Sequence, residues 1–380
     1  IDLIGFGIVF PILPLYARRF HVSSATATGL VAAFSAASFL FSPLWGRVSD
    51  RVGRKPVLLL SLVGTAVGSL LTGLAGGIVV LYMARIIDGI SGASISVAQA
   101  AVSDVASPQE RPRLFGLLGA AFGIGFVAGP ALGALAAVAG PRVPFFLAAA
   151  IAGINAIVAA RRLPETHHPE PDDGGGPARP SARRNPLAAL AGAHGASQLI
   201  SVAFLTLLSF SAFEATFSLF GHSRLGFDVG SSAAVFAAIG LVIVVVQGGL
   251  VHPVVMRLGE LTTLRAGLAA EVVGLLALAF VHTWAALAPA LLVLTVGQGL
   301  VQTTMTSALA GRAPPQRRGA VLGAQQSAGG LARVIGPLLG GILFEQIGPG
   351  APYVVGAALV AVCLLLLQSA VSPAATTTRP

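Results

Sequence analysis

Gly46-Arg47-Val48-Ser49-Asp50-Arg51-Val52-Gly53-Arg54-Lys55-Pro56 is a dense charge cluster set between two apolar runs, at about 27–45 and 57–75. A hydrocarbon core about 30 Å thick needs about 20 apolar residues per helix, and both runs are close to that length. Within the cluster Gly46 can end one helix, and Asp50 offers a carboxylate to a helix N-terminus or a cation. Gly53 permits a tight turn, and Pro56 suits the first turn of the next helix. A bare turn between two membrane helices needs none of this density.

The rest of the chain repeats the alternation of long apolar runs and short polar breaks. Of 380 residues 55% are apolar and only 10% charged, against about 25% charged in a soluble domain. That excludes a water-soluble globule. The 47 Gly and 24 Pro are scattered among Leu, Ala and Val without a short period, as in closely packed transmembrane helices. Cys363 is the single cysteine, which excludes an intramolecular disulfide and a cysteine-rich zinc site. The seven histidines have no metal-ligand spacing, so no metal site is expected. Lys55, the only lysine, is not in a phosphate-binding loop, and the motifs of zinc proteases and serine hydrolases are missing as well. The chain therefore reads as neither an ATPase nor another enzyme. Its net charge of +9 is not gathered into a basic face interleaved with aromatics, so no nucleic-acid partner is expected.

Twelve apolar spans are predicted at about 1–17, 27–45, 57–75, 78–104, 114–138, 143–160, 194–220, 232–251, 265–282, 285–310, 319–345 and 350–370. With both ends in the cytoplasm, only Arg18, Arg19, Arg142 and Arg224 of the 23 basic residues lie outside, and Arg85 and Arg333 fall within spans. The remaining seventeen lie inside, as the positive-inside rule requires. A polar, Pro- and Gly-rich stretch separates spans six and seven. It divides the chain into a six-helix half at 1–161, a cytoplasmic linker at 162–193 and a second half at 194–380. The start at Ile1-Asp2, already apolar and without Met, reads as a trimmed N-terminus and not as a cleaved signal peptide. Shifting the sequence by 207 superposes Pro108-Gln109 on Pro315-Gln316, Arg111 on Arg318, Gly116 on Gly323, Gly129-Pro130 on Gly336-Pro337 and Gly133 on Gly340. Such a repeat is expected where two parallel halves pack around a midplane site.

The Gly46–Pro56 segment closely resembles the loop signature of the major facilitator superfamily, G-x-x-x-D-R-x-G-R-[KR]. Asp2-Leu3-Ile4-Gly5-Phe6-Gly7 through Pro11-Ile12-Leu13-Pro14 is similar to the opening of twelve-helix drug:proton antiporters, the group that contains tetracycline exporters. Gly125, Gly129, Pro130 and Gly133 resemble that group's G-x-x-x-G-P-x-x-G-G signature, with Ala134 for the last glycine. Leu163-Pro164-Glu165-Thr166 and Glu214-Ala215-Thr216-Phe217 are similar to further pieces of it. The resemblance covers the whole chain and implies an all-α membrane protein of twelve helices in two pseudo-symmetric halves, N-in and C-in. It also implies a cytoplasmic gate built from Gly46, Asp50, Arg51, Gly53 and Arg54, with Asp104 a partner for Arg54. Opposite this loop, Met256-Arg257-Leu258-Gly259-Glu260 keeps an Arg and a Gly but lacks the aspartate.

A charge at the bilayer centre costs about 2.5–3.5 kcal/mol on the lenient scale, so each one needs a reason. Arg85, Asp88, Gly92, Ser96, Gln99 and Ser103 step by three or four and form one polar stripe, expected to face a cavity. Arg85 and Asp88 can pair, either as a proton-coupling unit or as a constitutive ion pair. Glu214, among Phe210, Phe213, Phe217 and Phe220, lies where an uncharged carboxyl is the cheaper form, which makes it a second protonation candidate. Asp2 matches the aspartate of the antiporter opening but lies at the start of its span. Glu271 reads as a structural group near the cytoplasmic surface, and Arg333 as a partner for a first-half carboxylate. Gln298, Gln302 and Met305 share a face, and together with Gln99, Gln198, Phe213 and Phe217 they are expected to wall a cavity for a lipophilic ligand. These side chains could equally be interhelical packing.

The expectation is a proton-coupled antiporter that exports lipophilic drugs from the bacterial cytoplasm by rocking of two halves. It would need no cofactor beyond a proton gradient and act as a monomer in the inner membrane. Its rivals are a proton symporter that imports a small solute and a transport-dead membrane scaffold or sensor.

Overall fold

Long apolar runs leave the backbone to satisfy its own hydrogen bonds, and in hydrocarbon only a helix does this within one segment. The computed structural model describes residues 2–92, 94–107, 110–166, 196–312 and 318–369, and all regular structure among them is helical. In the first half, α1 (Asp2–Val9) and α2 (Leu13–Ala17) form one apolar segment bent by 46° around Pro11. Then follow α3 (Ser24–Val52), α4 (Arg54–Leu74), α5 (Ile78–Ser91), α6 (Ser94–Val105), α7 (Arg111–Val138) and α8 (Val143–Arg162). The second half contains α9 (Ala196–Leu225), α10 (Val229–Val245), α11 (Val251–Leu258), α12 (Glu260–Ala279), α13 (Trp284–Arg312), α14 (Arg318–Gln346) and α15 (Ala351–Ser369). Of the predicted linker only residues 162–166 fall within the described regions. The repeat pairs Pro108-Gln109 and Pro315-Gln316 lie outside them.

Nine helices among the described residues are long and apolar enough to cross a membrane, ten if the bent pair is one span. The shorter apolar stretches Gly123–Val138 and Ala351–Leu367 coincide with the fifth and twelfth predicted spans. Besides the bent first span, two others are not plain helices. The fourth breaks at Gly92 between α5 and α6, and the eighth passes through a π-helical turn, Val246–Leu250, between α10 and α11. Pro253 explains the second irregularity, because it has no N–H to donate and its ring would clash with the carbonyl of Gly249. The ends carry ordinary signals. Ser23 caps α3 by accepting from the Thr26 N–H at 3.2 Å. Asp228 and Ser231 form a capping box on α10, and the Ser231 N–H holds the Asp228 carboxyl below the usual range.

Each half has its own apolar core. One is built on Ile8, Ile12, Tyr16, Leu30 and Phe145, the other on Phe213, Phe217, Phe236, Leu268, Leu294 and Tyr353. The Gly125/Gly129/Gly133 face of α7 packs on α1 of the same half. A Cβ on Gly129 would stand 2.7 Å from both the Gly7 Cα and the Ile4 carbonyl oxygen, so only glycine lets these backbones approach. The halves touch along α3 against α14 and α7 against α10. At one end the Ser232 hydroxyl reaches the Pro11 carbonyl oxygen at 3.4 Å, and the Ala25 N–H donates to Glu345 at 3.0 Å. Leu219 and Ala233 of the second half are buried in the first-half core. Contact continues to Phe39 against Gly330 and Gly123 against Val244, roughly 22 Å along the helices at 1.5 Å per residue. Beyond that point Leu40, Leu44, Val48 and Val52 are exposed. The halves therefore meet at the end away from the Gly46–Pro56 turn and part toward it.

Gly129→Ala must push the α1 and α7 backbones apart, at an expected cost of about 1–3 kcal/mol. The check is a lowered midpoint of thermal unfolding in detergent. A midpoint equal to wild type would mean that α1 can shift freely.

Candidate functional site

At the open end, α3 turns into α4 at Gly53, whose φ of 97° only glycine adopts without strain. That turn throws Arg54 back between α3, α4 and α6. Its Nε donates to Asp104 Oδ2 at 2.8 Å, and one terminal nitrogen donates to Asp50 Oδ1 at 2.6 Å and to Ser49 Oγ at 2.7 Å. The guanidinium is buried, while the Asp50 side chain is 61% and that of Asp104 23% exposed. Arg51 is exposed and adds no ion pair among those the structure shows, and Gly46 is half-buried with its carbonyl accepting from Ser49 Oγ at 2.8 Å. Glu165, just beyond α8, completes the cluster. Its carboxylate accepts from the N–H groups of Arg54 at 2.7 Å and Lys55 at 3.1 Å, capping α4 from the far end of the half. Sequence reasoning put Arg54 with Asp104 but missed Glu165 and Ser49. The signal for Glu165 was a carboxylate placed just past a helix end, with no hint of which helix it would serve.

The polar stripe of span four is divided by the break at Gly92. Above it Arg85 and Asp88 are buried within the first half, against α4, and not on an open face. Arg85 meets Asp88 Oδ2 at 3.0 Å and donates to Thr72 Oγ1 at 3.0 Å, leaving its Nε without a partner. Below the break Ser96 and Gln99 are exposed. An arginine in apolar surroundings is held where acceptors exist, and here α4 supplies them. Carbonyls next to the break also accept from side chains of neighbouring helices. Ser38 donates to the Gly89 oxygen at 3.0 Å, the Trp45 indole to Ile90 at 2.6 Å, and the Ser61 hydroxyl to Ser91. A discontinuous membrane helix persists only with such partners.

In the second half Glu214 is partly buried on α9. Arg333 lies on α14, which packs on α9, and is exposed, with no ion pair to a first-half carboxylate among those the structure shows. Several residues expected to wall the cavity are elsewhere. Phe213, Phe217 and Met305 belong to the second-half core, because the apolar face of a helix packs inward before it can line anything. Gln198 bonds the Leu366 carbonyl of α15, and Gln298 is buried with its Oε1 unpartnered. Gln302 is exposed and accepts from Gln247 at 3.5 Å. Glu271 is 2% exposed and eleven residues into α12, about 16 Å from its start, so it is a mid-helix group and not a surface one. The helix bearing Asp2 is described, but its side chain is outside the described residues. No group of three metal-capable side chains occurs among the described residues.

A family model described as the Major Facilitator Superfamily matches residues 1–332 and 249–380. The chain is 32% identical to tetracycline resistance protein, class C, of Escherichia coli, over 100% of this chain and 96% of that one. It is likewise 32% identical to multidrug resistance protein 2 of Bacillus subtilis (strain 168), over 91% and 86% of the two chains. Among solved structures it resembles the human organic anion transporter MFSD10 (TETRAN), with 28% identity and a TM-score of 0.70 over 97% and 96% of the chains.

The geometry of the Arg54 cluster ranks its acids. Asp104→Asn is expected to cost about 1–2 kcal/mol and Asp50→Asn at most about half that, since Asp50 keeps most of its hydration. Thermal unfolding of the two variants checks the order, and equal losses would contradict it.

Proposed function

The chain belongs to the Major Facilitator Superfamily, and from that premise we propose that it is a proton-coupled exporter of lipophilic drugs. It is a multi-pass transporter of the bacterial cytoplasmic membrane, not an enzyme. We read its helices as twelve spans in two halves, 1–161 and 194–380, with both ends in the cytoplasm. The distribution of arginines supports this orientation. The cleft between the halves then opens inward, and alternating access follows from rocking the halves until the contacts at Pro11, Ala25 and Ser232 part. Gly46, Asp50, Arg51, Gly53, Arg54 and Asp104 would brace the cytoplasmic edge when that side closes.

The proton coupling rests in this reading on Glu214, a half-buried carboxyl on α9, with Arg333 on the adjacent α14. A carboxylate near an arginine exchanges its proton when their distance changes, and α14 is also the helix that packs on α3 of the other half. Both residues belong to the second half, so their separation changes in this reading only as α14 shifts against α9 when its contact with α3 rearranges. Arg85 and Asp88 act in this reading as a coupled pair. Asp88 cannot take a proton without leaving Arg85 uncompensated, so its protonation is tied to movement of α5 against α4. Asp2 would share in the relay from the start of α1. The driving force is the proton gradient alone, at about 2.3 kcal/mol per charge per 100 mV. The names of the relatives suggest a tetracycline-like or other lipophilic substrate, and the exposed amides Gln99 and Gln302 are suited to hold its polar edge. The working unit in this reading is a monomer.

Reconstitution in liposomes with an imposed pH gradient and a panel of lipophilic dyes tests the proposal. Wild type is expected to drive dye against proton flow, and Glu214→Gln to lower that flux by about tenfold or more. Wild-type flux by Glu214→Gln at every pH would remove Glu214 as the carrier. Dye moving with protons would make the chain a symporter, and absence of flux in either direction a scaffold or sensor.

A further inference from the structure

The two halves make the same turn at the open end with opposite charge. Gly53 (φ 97°) passes α3 into α4, and Gly259 (φ 77°) passes α11 into α12. The residue that follows is Arg54 in the first half and Glu260 in the second. In the first half the guanidinium of Arg54 fills the space between its helices and bonds Asp104, Asp50 and Ser49. In the second half the shorter Glu260 bonds only Ser307 of α13 among the contacts shown. The space between α11, α12 and α13 is left as a cavity of about 230 Å³ that is open to the surface.

The polar groups around this cavity mostly offer lone pairs. The Thr303 hydroxyl gives its proton to the Gly299 carbonyl at 3.1 Å, and Ser307 gives its own to Glu260. The Gln247 amide nitrogen is turned to Gln302, which leaves its carbonyl oxygen as the free end. Thr304 lines the cavity, is only 1% exposed and has a hydroxyl with no hydrogen-bond partner. His252 adds an imidazole, and Val251 with Val255 supplies an apolar wall. Arg257 and Arg312, the cations closest in sequence, do not line the space, and Arg312 is turned to the Ala308 carbonyl at 3.3 Å. A carboxylate, an amide oxygen and the two hydroxyls of Thr303 and Ser307 with committed protons outnumber the donors, which are the Thr304 hydroxyl and the His252 imidazole. The π-helical turn that carries Gln247 is the kind of irregularity often found where a helix serves a ligand.

We propose that this cavity binds a small organic cation of the alkylguanidinium class, its planar donors bonded to Glu260, Gln247 and Thr304 and its alkyl group against Val251 and Val255. The ligand would take the place that the Arg54 side chain occupies in the other half, where a guanidinium meets acceptors of the same kinds. Planar, forked donors match a carboxylate flanked by hydroxyls better than a compact ammonium does. The site is separate from Glu214 and Arg333, so it stands or falls independently of proton-coupled export.

The test uses the full chain in phosphatidylcholine nanodiscs at pH 8 and 0.15 M salt, where imidazoles are neutral and non-specific attraction is screened, with methylguanidinium titrated by calorimetry. Saturable binding at one site per chain is expected, weakened about tenfold or more by Glu260→Gln and about threefold by Thr304→Val, and unchanged by Glu214→Gln. Should Glu260→Gln fail to fold, Ser307→Arg places a guanidinium in the cavity by covalent means and is expected to abolish binding. Absence of saturation in wild type, affinity in Glu260→Gln within twofold of wild type, or undiminished binding by Ser307→Arg would overturn the proposal.

Discussion

Polar atoms that cannot reach water must find partners inside the protein, and most of the structure beyond simple helix packing answers that demand. The guanidinium of Arg54 is buried only because three acceptors from two helices converge on it. Arg85 is buried deeper and answered by Asp88 and Thr72. Carbonyls next to the break of span four at Gly92 accept from Ser38, Trp45 and Ser61. A missing partner in such surroundings costs more than a made one returns. These clusters therefore specify which helices lie together, whereas the apolar surfaces around them would tolerate several arrangements.

The pseudo-symmetry of the halves is a symmetry of backbone more than of chemistry. Turns at Gly53 and Gly259, and Gly-Pro pairs in α7 and α14, recur in matching places. The polar groups hung on them do not. The first half closes its turn with an arginine and a capping glutamate from beyond α8, and the second has a glutamate beside an open space. Conversely, the second half has a half-buried carboxyl, Glu214, on α9. The shared frame thus carries unequal fittings, braced at the turn of one half and open at the turn of the other.

Much of the fold was legible in the sequence because its signals are local. Run length, charge breaks and glycine turns mark helices without knowledge of their neighbours, and the Gly46–Pro56 turn needed only its own eleven residues. The site was legible where partners share a short loop or one helix, as with Arg54 and Asp50 or Arg85 and Asp88. It was not legible where a helical period defines a face but not what that face meets. Phe213, Phe217 and Met305 share faces with polar residues, yet they turn into the core. Gln198 is spent on a carbonyl 168 residues away. Glu214 and Arg333 come onto neighbouring helices through the packing of α9 on α14, which no spacing along the chain encodes.

The cap that Glu165 places on α4 carries a consequence for how this sequence can change over generations. Its carboxylate occupies the position where a side chain on Gly53 would begin, while it also serves the first two N–H groups of α4. Any larger residue at 53 both strains the turn and evicts the cap, so a second change that merely relaxes the backbone would not restore it. Residues 53 and 165, more than a hundred positions apart, are thereby bound to drift together or not at all.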